Sequence, residues 1–475
     1  MNIRKSVALI LTVVMAVGAS SACNTGTVET SGSGSGDTKA TEDTKVTEVT
    51  ENTTESTKGT TEIPKEFSYN EFTAKEVSDE GKEGSLMVWG WNKEGVDLIS
   101  KYSEVPIKKN ISSGPAAYPG LLDRALASGE NAPDLFFFGP EYAKKYLNTD
   151  SVLPLNDIGI SYNEFMPESY DYIVRCGTDR DGVVKGLSWQ GCPCGVFYNK
   201  QVAQDTLGVS EPDDVSPYFK DWDAFTETAR KVKNASSGSA RIISGTDDVW
   251  RFFLNNRSQG WLVNGELNID PVMEDYINFA KILSGEGLTF NTTQWSKGWT
   301  DNMSNHKVLA YLGSMQMLNY SMGFNDGKNK TSGEWGIVDA PAPSYLGGTW
   351  IAATKYCDMK ASSAQVIRDL CINKDNLAAM ADSGEFVNNK TIMQGKAQDP
   401  SYGSDILGGQ NPLPVLIRAA ESLDLSSEQE EDETCNSAWI AAVNSYCLGN
   451  VESIAEAELQ FKSTVEDLGI IAPSS

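Results

Sequence analysis

The sequence predicts an α/β protein in which sheets of parallel strands are covered by helices. Short, fully apolar runs alternate with stretches whose apolar residues recur every three to four positions, the pattern of strand–helix–strand units. No self-similar period of 20–50 residues recurs, so a solenoid is not expected. At 475 residues, the chain is long enough for two or three domains of about 150 residues each.

The elements follow in order. Leu86-Met87-Val88-Trp89 is a short apolar run and reads as a buried strand. Leu121, Leu122, Ala125 and Leu126 repeat at helical spacing, and Gly129 with Pro133 stops that helix. Leu135-Phe136-Phe137-Phe138 is the next strand, and Gly139-Pro140 opens a further helix. Phe225, Ala229 and Val232 form a helical stripe, as do Val272, Tyr276, Phe279 and Leu283. Val308 to Leu312 and Trp350 to Thr354 read as strands, and a helix is expected from Ser362 to Cys371. The tail from Asn436 to Leu468 reads as helix interrupted near Gly449.

The N-terminus reads as an address. Arg4 and Lys5 precede an apolar run, Val7 to Gly18, and small residues lead to Cys23, the layout of an export signal over residues 1–22. The run, about a dozen residues, is too short for the roughly 30 Å hydrocarbon core. Ser20-Ser21-Ala22-Cys23 resembles a bacterial lipobox, which implies acylation of Cys23 and attachment to the outer face of the cell membrane. Residues 24–65 are mostly Thr, Ser, Gly and Glu. Such a stretch buries too little apolar surface to offset the entropy of ordering, so residues 23–65 read as a flexible, lipid-anchored tether.

Charge and cysteines narrow the functions. Lys and Arg number 39 against 65 Asp and Glu, a formal charge of −26. That argues against nucleic acid, whose phosphates need a basic surface. One histidine, His306, excludes His-rich metal sites and leaves triad chemistry dependent on a single residue. His306 sits in Asn305-His306-Lys307, read as an exposed turn. Cys192-Pro193-Cys194 is not a C-x-x-C, and no ligand cluster has zinc spacing. No metal or other cofactor is expected. Beyond Cys23 seven cysteines remain, predicted mostly free and buried because their local spacing disfavours the obvious pairs.

Several stretches, in order, resemble one family. They are Ala125-Leu126-Ala127-Ser128-Gly129 followed by Ala132-Pro133-Asp134-Leu135; Val152-Leu153-Pro154-Leu155-Asn156-Asp157; Phe197-Tyr198-Asn199-Lys200; Asp221-Trp222-Asp223-Ala224-Phe225; and Gly347-Gly348. The chain resembles the extracellular solute-binding proteins of bacterial ABC importers, of the family-1, maltose-binding-protein-like kind. The resemblance implies a two-lobed periplasmic-binding-protein-like fold (type II) with the ligand cleft between lobes. It implies a first lobe of 66–190 plus 341–390 and a second of 195–340 plus 391–475. The crossings fall near Trp189–Gly195, Pro341–Tyr345 and Phe386–Lys390. It further implies a monomer that captures a carbohydrate, delivers it to ABC permease subunits and catalyses nothing.

A sugar offers apolar C–H faces and a rim of hydroxyls, so its site needs flat rings beside groups that donate and accept hydrogen bonds. In open α/β sheets that site lies beyond the carboxyl ends of strands. The candidates placed there are Trp91 and Asn92 after the first strand, Glu141 after the third apolar run, Trp250 and Arg251 after Asp247-Asp248, Gln316 after the Val308–Leu312 strand, and Trp350 after Gly347-Gly348. Trp189 and Gln190 are expected on the floor of the cleft. Each has a purely structural alternative: core packing for the tryptophans, helix-dipole complementarity for Glu141. Two other functions stay open, an exported glycoside hydrolase built on two carboxylates and a binder of a peptide or polyamine.

Overall fold

A computed structural model describes residues 68–91, 93–112, 114, 117–322 and 333–472. The export signal, Cys23, the tether and Asn92 lie outside the described residues.

The strands are β1 (Leu86–Gly90), β2 (Ile107–Ile111), β3 (Leu135–Phe138), β4 (Gly186–Ser188), β5 (Gly195–Asn199), β6 (Leu262–Val263), β7 (Glu266–Leu267), β8 (Ala310–Gly313), β9 (Trp335–Val338) and β10 (Trp350–Ala353). The first sheet has the order β2-β1-β3-β10-β4 and the second β8-β5-β9, with β6-β7 a separate ribbon. All four residues of β3, β8, β9 and β10 are buried. That is why these runs are apolar throughout rather than alternating.

The expectation of purely parallel sheets is corrected. β1 runs parallel to β2 and β3, but β10 is antiparallel to β3 and β4, and β5 is antiparallel to β8 and β9. The register explains it. Trp350, the first residue of β10, pairs with Phe138, the last of β3. β10 therefore enters the first sheet from the end where β3 leaves it. A strand arriving directly from the second lobe needs no helical crossover, and it runs the other way.

Three segments lie side by side between the sheets. Gln190 bridges Val387 and Pro193 bridges Tyr345. The Cys194 N–H donates to the Ser344 carbonyl at 2.8 Å, and the Gly191 N–H to Phe386 at 2.8 Å. Polar residues start the flanking helices. Asp221 accepts from the Ala224 N–H at 2.7 Å to cap Trp222–Ala235, and Asn199 and Ser296 cap Lys200–Leu207 and Lys297–Ser304 in the same way. Gly129 closes Tyr118–Ser128 in a left-handed conformation at φ +74°.

The tail helices Asp432–Cys447 and Ile454–Asp467 pack on the second lobe through Trp439, 5.3 Å from Phe461 and 5.8 Å from Trp261. Among the described residues seven cysteines are free, and all but Cys447 are buried. His306 is exposed, 3.4 Å from Glu334 and 3.0 Å from the Asn199 amide. Among the described residues, no helix is long and apolar enough to cross a membrane.

Candidate functional site

Two connected cavities open between the lobes. The smaller, about 540 Å³, is walled by Trp91, Tyr118, Phe138, Tyr142 and Tyr146, with Gly347 and Gly348 also lining it. The larger, open to solvent, is lined by Thr246, Asp247, Trp250, Gln294, Trp295, Glu433 and Asn436, among others. Glu141 and Arg251 line both and mark where they meet.

The first-lobe wall is set by strand ends. β1 ends at Gly90, which leaves Trp91 on the edge of the cleft, half-buried. Its ring lies 5.6 Å from that of Tyr118. Tyr118 is itself fixed, because its hydroxyl donates to the Phe137 carbonyl at 2.8 Å. β3 ends at Phe138, and the turn Pro140–Tyr142 carries Glu141 and Tyr142 into the cleft. Burial pushes the Glu141 carboxyl above its usual range, partly offset by its own backbone N–H and by Arg251.

The second-lobe wall comes from two loops locked together. Asp248 is buried, and its carboxylate accepts from the Trp299 indole at 2.7 Å and from the Ser244 and Gly245 N–H groups at 3.1 Å. Asp247 accepts from the Gln294 N–H at 2.7 Å, while its other oxygen is buried without a partner. Burial pushes both the Asp247 and Asp248 carboxyls above their usual range, and the neighbouring Asp247 charge adds to the rise at Asp248. Gly245 is required here, since a Cβ would come within 2.0 Å of the Thr292 carbonyl oxygen. The helix Trp250–Leu254 then presents the Arg251 guanidinium 4.7 Å from the Trp250 ring centre. Among the described residues, no hydrogen bond or ion pair is made by that guanidinium.

Of the residues picked from the sequence, the fold brings Trp91, Glu141, Trp250 and Arg251 to one cleft. Of the other described candidates it brings none, and Asn92 lies outside the described residues. Trp350 is corrected: it is fully buried in the first sheet and donates its indole N–H to the Ile173 carbonyl at 3.0 Å. Trp189 is corrected too: it is 1% exposed, packed 5.7 Å from Phe137. Both rings belong to the core and offer no open face. Gln190 is buried beside Glu385, its Nε2 3.3 Å from that carboxylate. Gln316 packs against Gly347, where a Cβ would lie 2.6 Å from its Oε1, and lines neither cavity.

Sequence reasoning missed Tyr118, Tyr142, Asp247, Trp295, Glu433 and Asn436. Tyr142 reads in sequence as part of an apolar helix face with Tyr146. Trp295 carried a usable signal: one large ring in a polar loop, Asn291-Thr292-Thr293-Gln294, directly before the helix cap Ser296.

A cleft of this kind, walled by rings and lined with mixed polar groups between two α/β lobes, defines a solute-binding protein. Residues 107–402, more than half of the chain, match the family of bacterial extracellular solute-binding proteins. The chain belongs to that family. No curated protein matches it by sequence.

Solved structures share its fold. A crystal structure of an extracellular solute-binding protein family 1 member has a TM-score of 0.70 at 17% identity, covering 81% of this chain and 99% of that one. The ABC transporter associated binding protein from B. animalis subsp. lactis Bl-04, in complex with beta-1,6-galactobiose, has a TM-score of 0.63 at 19% identity, covering 81% and 97%. The sugar-binding protein MalE from Xanthomonas citri has a TM-score of 0.64 at 15% identity, covering 81% and 98%. At these identities the likeness is one of fold.

Proposed function

We propose that this protein is the substrate-binding lipoprotein of an ABC importer and that it captures an uncharged oligosaccharide between its lobes. The observation that carries the reading is the composition of the cleft. Trp91, Tyr118 and Tyr142 stand on one side and Trp250 and Trp295 on the other. Flat rings on both walls suit the apolar faces of pyranose rings. Between them Glu141 and Asp247 accept hydrogen bonds, Arg251 donates, and Asn436 does both. Rings spread over two adjoining cavities rather than one favour several sugar units over a single one. Acids outnumber the single arginine among these residues, which disfavours an anionic ligand.

The mechanism is capture and closure. A ligand touching both walls binds the closed arrangement better than the open one and shifts the population toward it. The antiparallel crossing segments at 189–195, 341–345 and 386–390 serve as the hinge, and permease subunits recognise the closed form. Cys23 carries the lipid that holds the protein at the outer face of the membrane.

The test is thermal-shift screening of the purified domain against neutral oligosaccharides, since a ligand raises apparent stability by mass action. At least one oligosaccharide is expected to raise the unfolding temperature and to be recovered intact. A panel without any shift, or new reducing ends after incubation, sinks the proposal.

A further inference from the structure

We propose, resting on the reading of the cleft as a sugar site, that Trp295 is the second lobe's main ring platform and that Asp248 is the residue that positions it. The first observation is backbone conformation. Trp295 has φ +66°, in the left-handed region. The other non-glycine residues there are asparagine, serine, cysteine and histidine, and a residue as bulky as tryptophan is an outlier. Such conformations persist only where the surroundings impose them, and they concentrate at binding sites.

The second observation is what imposes it. The loop is pinned at both ends. The Ser244 carbonyl accepts from the Phe290 and Thr292 N–H groups at 3.1 and 3.2 Å. Asp247 holds the Gln294 N–H at 2.7 Å. On the far side, the Trp295 ring lies 4.7 Å from Trp299, tilted by 44°. Trp299 is 1% exposed, and Asp248 anchors its indole at 2.7 Å. A chain of contacts thus runs from a buried carboxylate through a buried indole to a half-buried ring on the cavity wall.

The third observation separates the roles. Trp295 lines the larger cavity, whereas Asp248 lines neither. Asp248 therefore acts through Trp299. Its carboxylate accepts from three donors, the Trp299 indole and the Ser244 and Gly245 N–H groups. An asparagine there turns an NH₂ toward one of those donors and loosens the indole without changing side-chain size.

The test is calorimetric titration of the oligosaccharide that gives the largest thermal shift with the unaltered protein. It uses Trp295→Phe, Trp295→Ala, Asp248→Asn and the double variant Trp295→Ala/Asp248→Asn. Trp295→Ala is expected to weaken binding by about tenfold or more, and Trp295→Phe, which keeps a ring, by about threefold or less. Asp248→Asn is expected to weaken binding on its own and to add nothing in the Trp295→Ala background, the non-additivity of residues acting through one contact. Trp295→Ala binding like the unaltered protein overturns the platform. Equal losses from Asp248→Asn in both backgrounds overturn the positioning role, since a general structural defect acts in either. An unaltered protein that binds no sugar refutes the sugar reading and this assignment together, whereas normal binding by Trp295→Ala refutes the assignment alone.

Discussion

Trp91→Ala offers the most direct perturbation of the first-lobe wall. Trp91 is half-buried, lines the smaller cavity and rests against Tyr118 at 5.6 Å. A sugar seated on the open part of that ring covers on the order of 50 Å² of it, about 1.3 kcal/mol at 25 cal/mol per Å². A specific ring contact adds about 0.5–1.5 kcal/mol. The sum, roughly 2–3 kcal/mol, corresponds to a weakening of about 20- to 150-fold. Folding is expected to change little by comparison, because Trp91 is not a core residue of the first sheet. The assay is calorimetric titration of the same oligosaccharide into both proteins, with circular dichroism confirming the fold. Affinity within about twofold of the unaltered protein refutes the placement of the sugar on this wall.

Three further outcomes follow from the same geometry. Trp350→Ala removes a fully buried ring whose indole bonds the Ile173 carbonyl; it is predicted to lower stability by about 3–5 kcal/mol, and a denaturant midpoint equal to that of the unaltered protein would show that the ring is not core. Asp432→Ala strands the Arg257 guanidinium, whose side chain is 2% exposed and 2.9 Å from Asp432; a loss of about 3–5 kcal/mol is predicted, against less than about 1 kcal/mol for Glu430→Ala at the exposed Arg180–Glu430 pair, and equal losses in the two variants would contradict this. Burial raises the Asp247 and Asp248 carboxyls above the ordinary Asp value of about 4, so their contribution to stability is full below about pH 4 and is lost as pH rises from there through their raised values; Asp247→Asn is predicted to flatten that fall in stability, and an unchanged slope by denaturant titration would refute the shift.

Much of the fold was legible because its signals are local. Leu135 to Phe138 and Trp350 to Ala353 are apolar at every position since both faces of the first sheet are covered. Gly129 marked a helix end because the left-handed conformation that closes a helix favours glycine. Strand direction was not legible. It depends on which end of the sheet a returning segment reaches, and nothing in residues 350–353 encodes that.

The site was legible in part, for the same reason. Trp91 and Glu141 follow strand ends directly, so position alone brings them to the cleft. Trp350 also borders a glycine-rich turn, yet its ring lies within the sheet it begins. Side-chain direction at a strand's first residue is set by register with β3 and β4, a long-range fact. Trp295, Glu433 and Asn436 reach the cleft from loops and helices far from any strand of the first sheet, and only the packed lobes bring them together.

The measurement that tests the central claim most directly is a crystal structure of the protein grown with the oligosaccharide identified by thermal shift. The account predicts intact sugar between the lobes, with a ring against Trp91 and hydroxyls within hydrogen-bond distance of Glu141 and Arg251. Sugar bound elsewhere, for instance in the separate cavity lined by Lys144 and Arg180, or a cleaved product in the cleft, would contradict it.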